Sequence, residues 1–342
     1  MKRKIGYAFG AAALFGASTP FSKLLLGQLP PSMLAGLLYL GSGVGLCIGM
    51  GRFPSLKALS TAQKLWFSLA ILLGGGIGPI LLLQGLGQAS AASSSLLLNL
   101  ESVLTALLAW FVFRENFDRR LLTGMLAVVA GGVCLSWHAG SFTFSVGSLL
   151  IAGACLCWAL DNNLMQKVSA GEPSDLAACK GLAAGSANLC LAWATGQWTS
   201  IDGPTIVGAL MLGYLGYGLS LVFFVRALRE LGTARTGAYF SLAPFVGAFL
   251  SLVIFHEVPT SRFWVALALM AWGVWLHVSE RHQHTHTHEE LEHHHEHLHD
   301  EHHQHEHGSK DPTCEPHTHV HKHLSLSHCH PHYPDVHHRH TH

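Results

Sequence analysis

The sequence predicts an all-α polytopic membrane protein of ten transmembrane helices, arranged as two inverted five-helix repeats and followed by a disordered tail. Three observations lead to this class. Of the 342 residues, 49% are hydrophobic and only 12% are charged. This charged fraction is about half that of soluble domains. Apolar runs of bilayer length recur through residues 1–279. The basic residues between these runs collect in alternate loops.

The apolar runs are roughly 18–25 residues long, which is the length that crosses a bilayer core. They predict spans at 5–27, 32–51, 65–86, 91–113, 120–137, 145–166, 176–195, 205–228, 234–255 and 262–279. The first run continues through Pro20 and Lys23 without a cleavage site, so it is interpreted as a span and not as a signal peptide. Pro20, Pro79 and Pro244 lie within spans, where the loss of a helix hydrogen bond predicts a kink.

Basic residues between the spans predict the orientation, because Lys and Arg concentrate in cytoplasmic loops. If the N-terminus is cytoplasmic, the cytoplasmic segments collect Lys2, Arg3, Lys4, Arg52, Lys57, Lys64, Arg114, Arg119, Arg120, Lys167, Arg226, Arg229, Arg235 and Arg281. The loops on the opposite side receive Arg262 alone. We therefore expect a multi-pass protein of the cytoplasmic (inner) membrane with both termini in the cytoplasm.

The membrane region repeats itself after 142 residues without a gap. The shift aligns Leu86 with Leu228, Phe113 with Phe255, Glu115 with Glu257 and Gly131 with Gly273. Five spans per copy is an odd number, so the second copy is inverted in the membrane, a plan common in carriers. The predicted domains are residues 1–138, residues 139–279 and a tail of residues 280–342.

Three segments carry a family resemblance. They are Leu14-Phe-Gly-Ala-Ser-Thr-Pro-Phe-Ser-Lys23, Leu96-Leu-Leu-Asn-Leu-Glu-Ser-Val-Leu104 with its end at Phe113-Arg-Glu115, and Leu242-Ala-Pro-Phe245 with its end at Phe255-His-Glu257. Over residues 5–279 the chain resembles the EamA branch of the drug/metabolite transporter superfamily. The resemblance implies ten helices in two inverted halves and the export of small metabolites. Asp161-Asn162-Asn163 departs from the more apolar sequence usual at that place.

Polar side chains inside predicted spans are costly in lipid and therefore mark candidate transport residues. The candidates are Lys23, Asn99, Glu101, Asp161, Asn162, Asn163 and Lys180. A carboxylate at the depth of Asp161 or Glu101 can take up a proton or cation and release it when a cavity opens. The alternative is a structural ion pair with Lys23 or Lys180 that joins helices. Glu257 ends its helix, which favours a capping or loop-anchoring role over transport.

The tail contains 24 of the 27 histidines, and its histidines repeat after 35 residues. Neutral imidazole is a good ligand for Ni, Co and Zn ions, so the tail predicts several labile metal sites. The candidate ligands are His282, His284, His286, His288, His293, His295, His297, His317, His319, His321, His323, His328, Cys329, His330 and His332. The few apolar side chains of the tail predict disorder in the absence of metal. Two independent modules also predict that removing the second halves the metal capacity. The alternative is a proton-responsive polyelectrolyte.

These features favour a secondary transporter of a small solute, with a tail that binds or senses a divalent transition metal and with metal itself as one substrate option. One alternative is a metabolite exporter whose tail is only regulatory, and another is a membrane-tethered metal store. No cofactor is required, and no catalytic motif or nucleic-acid-binding surface is predicted. The expected partners are the lipid bilayer and the solute. The oligomeric state is left open, with a homodimer as one option.

Overall fold

The computed structural model describes residues 2–113, 119–136, 145–168, 172–231 and 233–278, and four tail segments, 282–288, 291–297, 317–323 and 326–332. The chain divides into two compact units, Met1–Ser279 and Glu280–His342. Each unit is considered by itself below.

The first half of the membrane unit consists of helices and one π-helical segment. The elements are α1 (Lys2–Leu25), α2 (Pro31–Met50), α3 (Thr61–Ala70), the first π segment (Ile71–Ile77), α4 (Gly78–Gln88), α5 (Ala91–Leu97), α6 (Leu100–Phe113) and α7 (Arg119–Ser136). Ser60 and Gln63 form a capping box at the start of α3. Gly51, at φ 64°, ends α2 in the left-handed conformation that glycine adopts without strain.

The second half repeats this order. The elements are α8 (Val146–Met165) with a 3₁₀ turn (Gln166–Val168), α9 (Pro173–Ala194), α10 (Gly203–Gly213), the second π segment (Tyr214–Leu219), α11 (Ser220–Leu231), α12 (Thr233–Phe240), α13 (Ala243–Phe255) and α14 (Ser261–Val278). Both ends of α14 lie 142 residues after the ends of α7, and the two π segments end 142 residues apart. The element bounds therefore follow the shift that aligns the two halves of the sequence.

Helices at equivalent places in the two halves pack against each other and run antiparallel. Along α2 and α9, Gly36 lies beside Leu189 and Gly43 lies beside Gly181. A Cβ atom added at Gly181 would stand 2.6 Å from the Gly43 nitrogen, so this close approach requires glycine. At one end of the pair Arg52 binds Asp175 at 2.8 Å, and at the other Ser32 donates to Gln197. The helices α7 and α14 also run antiparallel, with the contact pairs Gly124–Gly273 and Gly131–Met270.

Six of the described helical stretches are long and apolar enough to cross a membrane. They are Pro31–Met50, Thr61–Gln88, Ala91–Leu108, Arg119–Ser136, Val146–Met165 and Gly203–Ala227. The apolar helices Ala243–Phe255 and Ser261–Leu276 are shorter. These findings fit a multi-pass α-helical membrane protein, and the count of ten spans stays a prediction.

Two of the three prolines inside predicted spans begin a new helix after an irregular turn. Pro79 lies in the first turn of α4, directly after the first π segment, and Pro244 lies in the first turn of α13. Proline lacks the N–H that a helix interior needs, and the first turn has no such need. The predicted span 91–113 also breaks, at Leu98 and Asn99, although it contains no proline.

The tail unit contains four strands, β1 (His282–His288), β2 (Leu291–His297), β3 (His317–His323) and β4 (Leu326–His332). β1 pairs with β4 and β2 with β3, both antiparallel. This corrects the prediction of disorder for these four segments. That prediction considered only the lack of a buried core, whereas backbone hydrogen bonds between the two modules form the ladders. The predicted metal ligands lie in these strands, but their side chains are outside the described part of the structure.

Candidate functional site

Asp161 of α8 and Lys180 of α9 form an ion pair in the membrane unit. The side chains are 7% and 19% exposed, respectively, so the pair is shielded from solvent. Asp161 Oδ2 accepts the hydrogen bond from Lys180, while Asp161 Oδ1 is buried and has no hydrogen-bond partner among the described residues. A buried carboxylate oxygen without a donor is costly, which makes it available to a donor from a ligand.

The first π segment lies beside the ion pair and forms the site together with α8 and α9. Its widened turn leaves backbone carbonyls that side chains must satisfy. Gly74 O accepts hydrogen bonds from the Tyr39 hydroxyl at 2.7 Å and from Trp158 Nε1 at 2.9 Å. Gly75 O accepts one from Asn188 at 2.9 Å. Gly74 also makes room for Asp161, because a Cβ atom at Gly74 would lie 2.7 Å from the Asp161 Cβ.

A second carboxylate stands beside this ion pair on α6. Glu101 Oε1 accepts a hydrogen bond from the Asn162 amide at 2.9 Å. The same amide nitrogen lies 3.5 Å from Thr105 Oγ1. The Asn163 amide donates to Thr105 O at 3.3 Å and to Ala159 O at 2.8 Å, which ties α8 to α6. Of the three consecutive polar residues of α8, Asp161 therefore contacts α9, whereas Asn162 and Asn163 contact α6.

Two of the predicted transport residues lie at helix ends and breaks. Lys23 donates to the carbonyls of Leu86 and Ala89, the second at 3.0 Å, and so satisfies the C-terminal end of α4. The Asn99 amide donates to Leu96 O at 2.9 Å within the break between α5 and α6. Glu257 lies just after the end of α13 and accepts from the Ala91 backbone N–H at 2.9 Å, so it binds the start of the neighbouring helix α5 and does not cap its own helix.

A row of aromatic rings joins the polar site to the second π segment. The Tyr39 ring lies 5.6 Å from that of Tyr217, which lies 5.9 Å from that of Phe15. Phe15 in turn lies 5.4 Å from Phe240. The row therefore links the two π segments, because the Tyr39 hydroxyl binds Gly74 O in the first and Tyr217 belongs to the second.

The structure thus pairs Asp161 with Lys180 and Glu101 with Asn162. Sequence reasoning assigned no site role to Gly74, which lies against Asp161, or to Tyr39, Trp158 and Asn188, which bind carbonyls of the first π segment. Asn188 carried a usable signal, since it is an amide inside a predicted span, whereas the aromatic residues were indistinguishable from packing residues. Among the described residues, no group of three His, Cys, Asp or Glu side chains is placed to hold a metal ion.

Similar proteins are named as transporters or as an efflux pump. An uncharacterized transporter of Methanothermobacter thermautotrophicus is 27% identical over 75% of this chain and 81% of its own length. The uncharacterized transporter YvbV of Bacillus subtilis is 25% identical over 77% and 87%. A Salmonella typhimurium protein named "Probable amino-acid metabolite efflux pump" is 26% identical over 81% and 96%.

A solved crystal structure shares the fold, with a TM-score of 0.58 and 21% identity over 80% of this chain and 95% of that one. The sequence profile of the EamA-like transporter family matches twice, at residues 2–137 and 145–279. These two matches cover the membrane unit. The protein is a multi-pass membrane transporter and belongs to the EamA-like transporter family.

Proposed function

We propose that the protein is a secondary transporter that exports a small zwitterionic metabolite across the cytoplasmic membrane, and that Asp161 and Lys180 bind it. The observation that carries this proposal is their shielded ion pair against the first π segment. A zwitterion offers the same two charges as the pair. Its carboxylate can replace Asp161 on Lys180, and its ammonium can donate to the unpartnered Asp161 Oδ1.

The exchange of partners matters because neither charge can be left alone in a buried site. An amine or a carboxylate alone would leave one protein charge unpaired, so the site favours a ligand with both charges. The printed name of the Salmonella relative, which concerns amino-acid metabolites, agrees with this ligand class. A divalent metal ion is less well suited to this position, since the Lys180 ammonium repels it.

The proposed architecture is ten spans in two inverted halves, residues 1–138 and 139–279, with both termini cytoplasmic. Three observations support it: the shared 142-residue shift, the antiparallel packing of α2 with α9, and the same packing of α7 with α14. In such a plan the substrate site lies near the middle of the membrane, between the halves. The ion pair and the π segment come from different halves, as this plan requires.

The binding proposal is tested with the purified full chain in detergent. Thermal unfolding is measured with neutral amino acids, with the matching amines lacking the carboxylate, and with the matching acids lacking the ammonium. We expect only zwitterions to raise the melting temperature, because at about 100 times Kd a ligand adds roughly 2.7 kcal/mol. Lys180→Met should remove the effect. Equal stabilisation by the amines alone would contradict a role for the pair.

A methyl group at Gly74 should impair transport while the protein still folds. Gly74→Ala places its Cβ 2.7 Å from the Asp161 Cβ, so the carboxylate has to move away from Lys180. The matched control is Gly76→Ala in the same π segment, where the nearest neighbour of the new Cβ is Ile71 O at 3.8 Å. Efflux from proteoliposomes should fall at least about tenfold, or about 1.4 kcal/mol, for Gly74→Ala only. Equal rates for the two variants would show that the site tolerates the displacement.

The second proposed function is that the tail binds Ni, Co or Zn ions at the cytoplasmic face and captures or senses them there. The backbone register supports it. His284 is opposite His330 and His286 opposite His328 in one ladder, and His295 is opposite His319 in the other. Residues directly opposite each other on antiparallel strands have Cβ atoms about 4.5–5.5 Å apart. A chain that acted only as a metal store would bind metal but move no solute.

A further inference from the structure

We propose that Glu257 controls an external gate: it holds the end of α13 against the start of α5, and breaking this contact lets the transporter open outward. The gate works in the same way for any substrate, so it goes beyond the binding role given above to Asp161 and Lys180. The proposed orientation places the turn between α4 and α5, and the end of α13, on the external side.

Both carboxylate oxygens of Glu257 bind the start of α5. Oε1 accepts from the Ala91 N–H at 2.9 Å, and Oε2 accepts from the Ala92 N–H at 3.4 Å. The first four N–H groups of a helix have no partner within it. Ser90, which precedes α5, provides acceptors for the third and fourth of these groups. The first two therefore depend on a side chain from the other half of the membrane unit.

Lys23 binds the same turn from its other side. Its ammonium donates to the carbonyls of Leu86 and Ala89 at the end of α4, and the charge of Glu257 acts on it. A cation at the end of one helix and an anion at the start of the next both match the helix dipoles. Lys23 belongs to the first half, as α4 and α5 do, so it keeps the turn attached to α1 when Glu257 leaves. The contact that breaks is therefore the one between the halves.

About two helical turns before the end of α13, this helix packs closely against α1 and α5. A Cβ atom added at Gly247 would stand 2.7 Å from the Gly16 carbonyl oxygen and 2.9 Å from Ser95 Oγ. The three helices therefore meet with no room for a methyl group, and Ser95 is fully buried between them. The external gate consists of this glycine contact together with Glu257 at the start of α5.

The pairing of α2 with α9 offers no opening at either end. Arg52 binds Asp175 at one end, Ser32 donates to Gln197 at the other, and glycines pack the two helices between these contacts. Glu257, by contrast, is a single half-buried side chain beyond the end of a helix. Water can take its place on the two N–H groups, because the start of a helix is stable in contact with water. The contact of α13 with α5 can therefore break and re-form.

The helix α5 leads from this contact toward the candidate site. It ends at Leu97, and after the break α6 brings Glu101 to the Asn162 amide, next to Asp161. Ser95 lies between the external end of α5 and this break. Because the break separates α5 from α6, the start of α5 can part from α13 while Glu101 keeps its contact with Asn162. Release of Glu257 therefore opens the external end of a route that leads to the ion pair.

The test measures how fast a membrane-impermeant thiol reagent, added outside whole cells, labels Ser95→Cys. The same chains without this cysteine measure the labelling of the native thiols. Glu257→Ala should raise the labelling rate about tenfold, which is the usual effect of losing the acceptor at a helix start. Glu257→Gln keeps one acceptor for the Ala91 N–H and should raise the rate less. Glu172→Ala is the matched control and should label as the wild type, because Glu172 precedes α9 without binding its first N–H groups.

Equal labelling of Glu257→Ala and the wild type would overturn the external gate, as would labelling that rises only when the reagent reaches the cytoplasmic side. Hydrogen exchange of the purified wild-type chain tests the gate without any substitution. Peptides from α5 and from the end of α13 should exchange together, and faster than peptides from α2 and α9, because only the first contact opens. Equal protection of the two pairs would refute it. Neither measurement uses a substrate, so the binding proposal can fail without affecting either result.

Discussion

Asp161→Asn should abolish transport while the protein still reaches the membrane. The amide keeps the size of the side chain but removes the charge that balances Lys180, and breaking one side of a buried pair costs about 3–5 kcal/mol. The variant also loses the acceptor for the substrate ammonium, so transport should fall to background even where folded protein is recovered. The measurement is efflux of radiolabelled amino acid from proteoliposomes that contain equal amounts of folded protein.

Two controls separate function from stability. Asp175→Asn changes a second described ion pair, with Arg52, at the ends of α2 and α9, and its carboxylate is also 7% exposed. The Asp175→Asn variant should be less stable than the wild type, but each folded molecule should keep most of the wild-type efflux rate. The double variant Asp161→Asn with Lys180→Met removes both charges and should recover stability without transport. Wild-type efflux by Asp161→Asn would instead assign the pair a purely structural role.

Removal of the tail should abolish the binding of several Ni or Zn ions per chain. A chain that ends at Arg281 lacks every candidate ligand of the tail. A chain that ends at Pro316 keeps β1 and β2 but loses their partner strands, β4 and β3. We expect this shorter tail to lose more than half of the capacity and the tighter sites, because each ladder contains one strand from each module. Calorimetry on the full chain and both truncations measures this difference.

Acid should weaken the metal sites in the same experiment. Metal needs the neutral imidazole, so the binding is fully present above the ordinary histidine pKa of about 6.5 and is lost as the pH falls through it. A capacity that falls by half at Pro316 with unchanged affinity would favour two independent modules and contradict sites that bridge them. Substitution of Thr285 and Thr287 by alanine is the control, since both lie in β1 between histidines. Amino-acid efflux by the chain ending at Arg281 should persist, because Asp161 and Lys180 are unchanged.

Much of the membrane unit could be predicted from the sequence, because its determinants are local. Helix lengths follow from apolar runs, and irregular turns precede Pro79 and Pro244 because proline cannot donate a hydrogen bond. The 142-residue shift could also be found in the sequence, and the bounds of α7 and α14 follow it. Asp161 and Glu101 stood out because carboxylates are rare in lipid.

The sequence by itself therefore determined the class of protein, the candidate spans and the polar residues that need a partner within them. The tertiary structure decided which partner each one has. Lys180 and Lys23 were equal options for Asp161, and only the packing of α8 against α9 and of α1 against α4 assigns Lys180 to the acid and Lys23 to helix carbonyls. The tail strands show the same division, since the composition identified candidate metal ligands but not how the strands pair. Such choices depend on distances between residues far apart in the chain, which no local periodicity encodes.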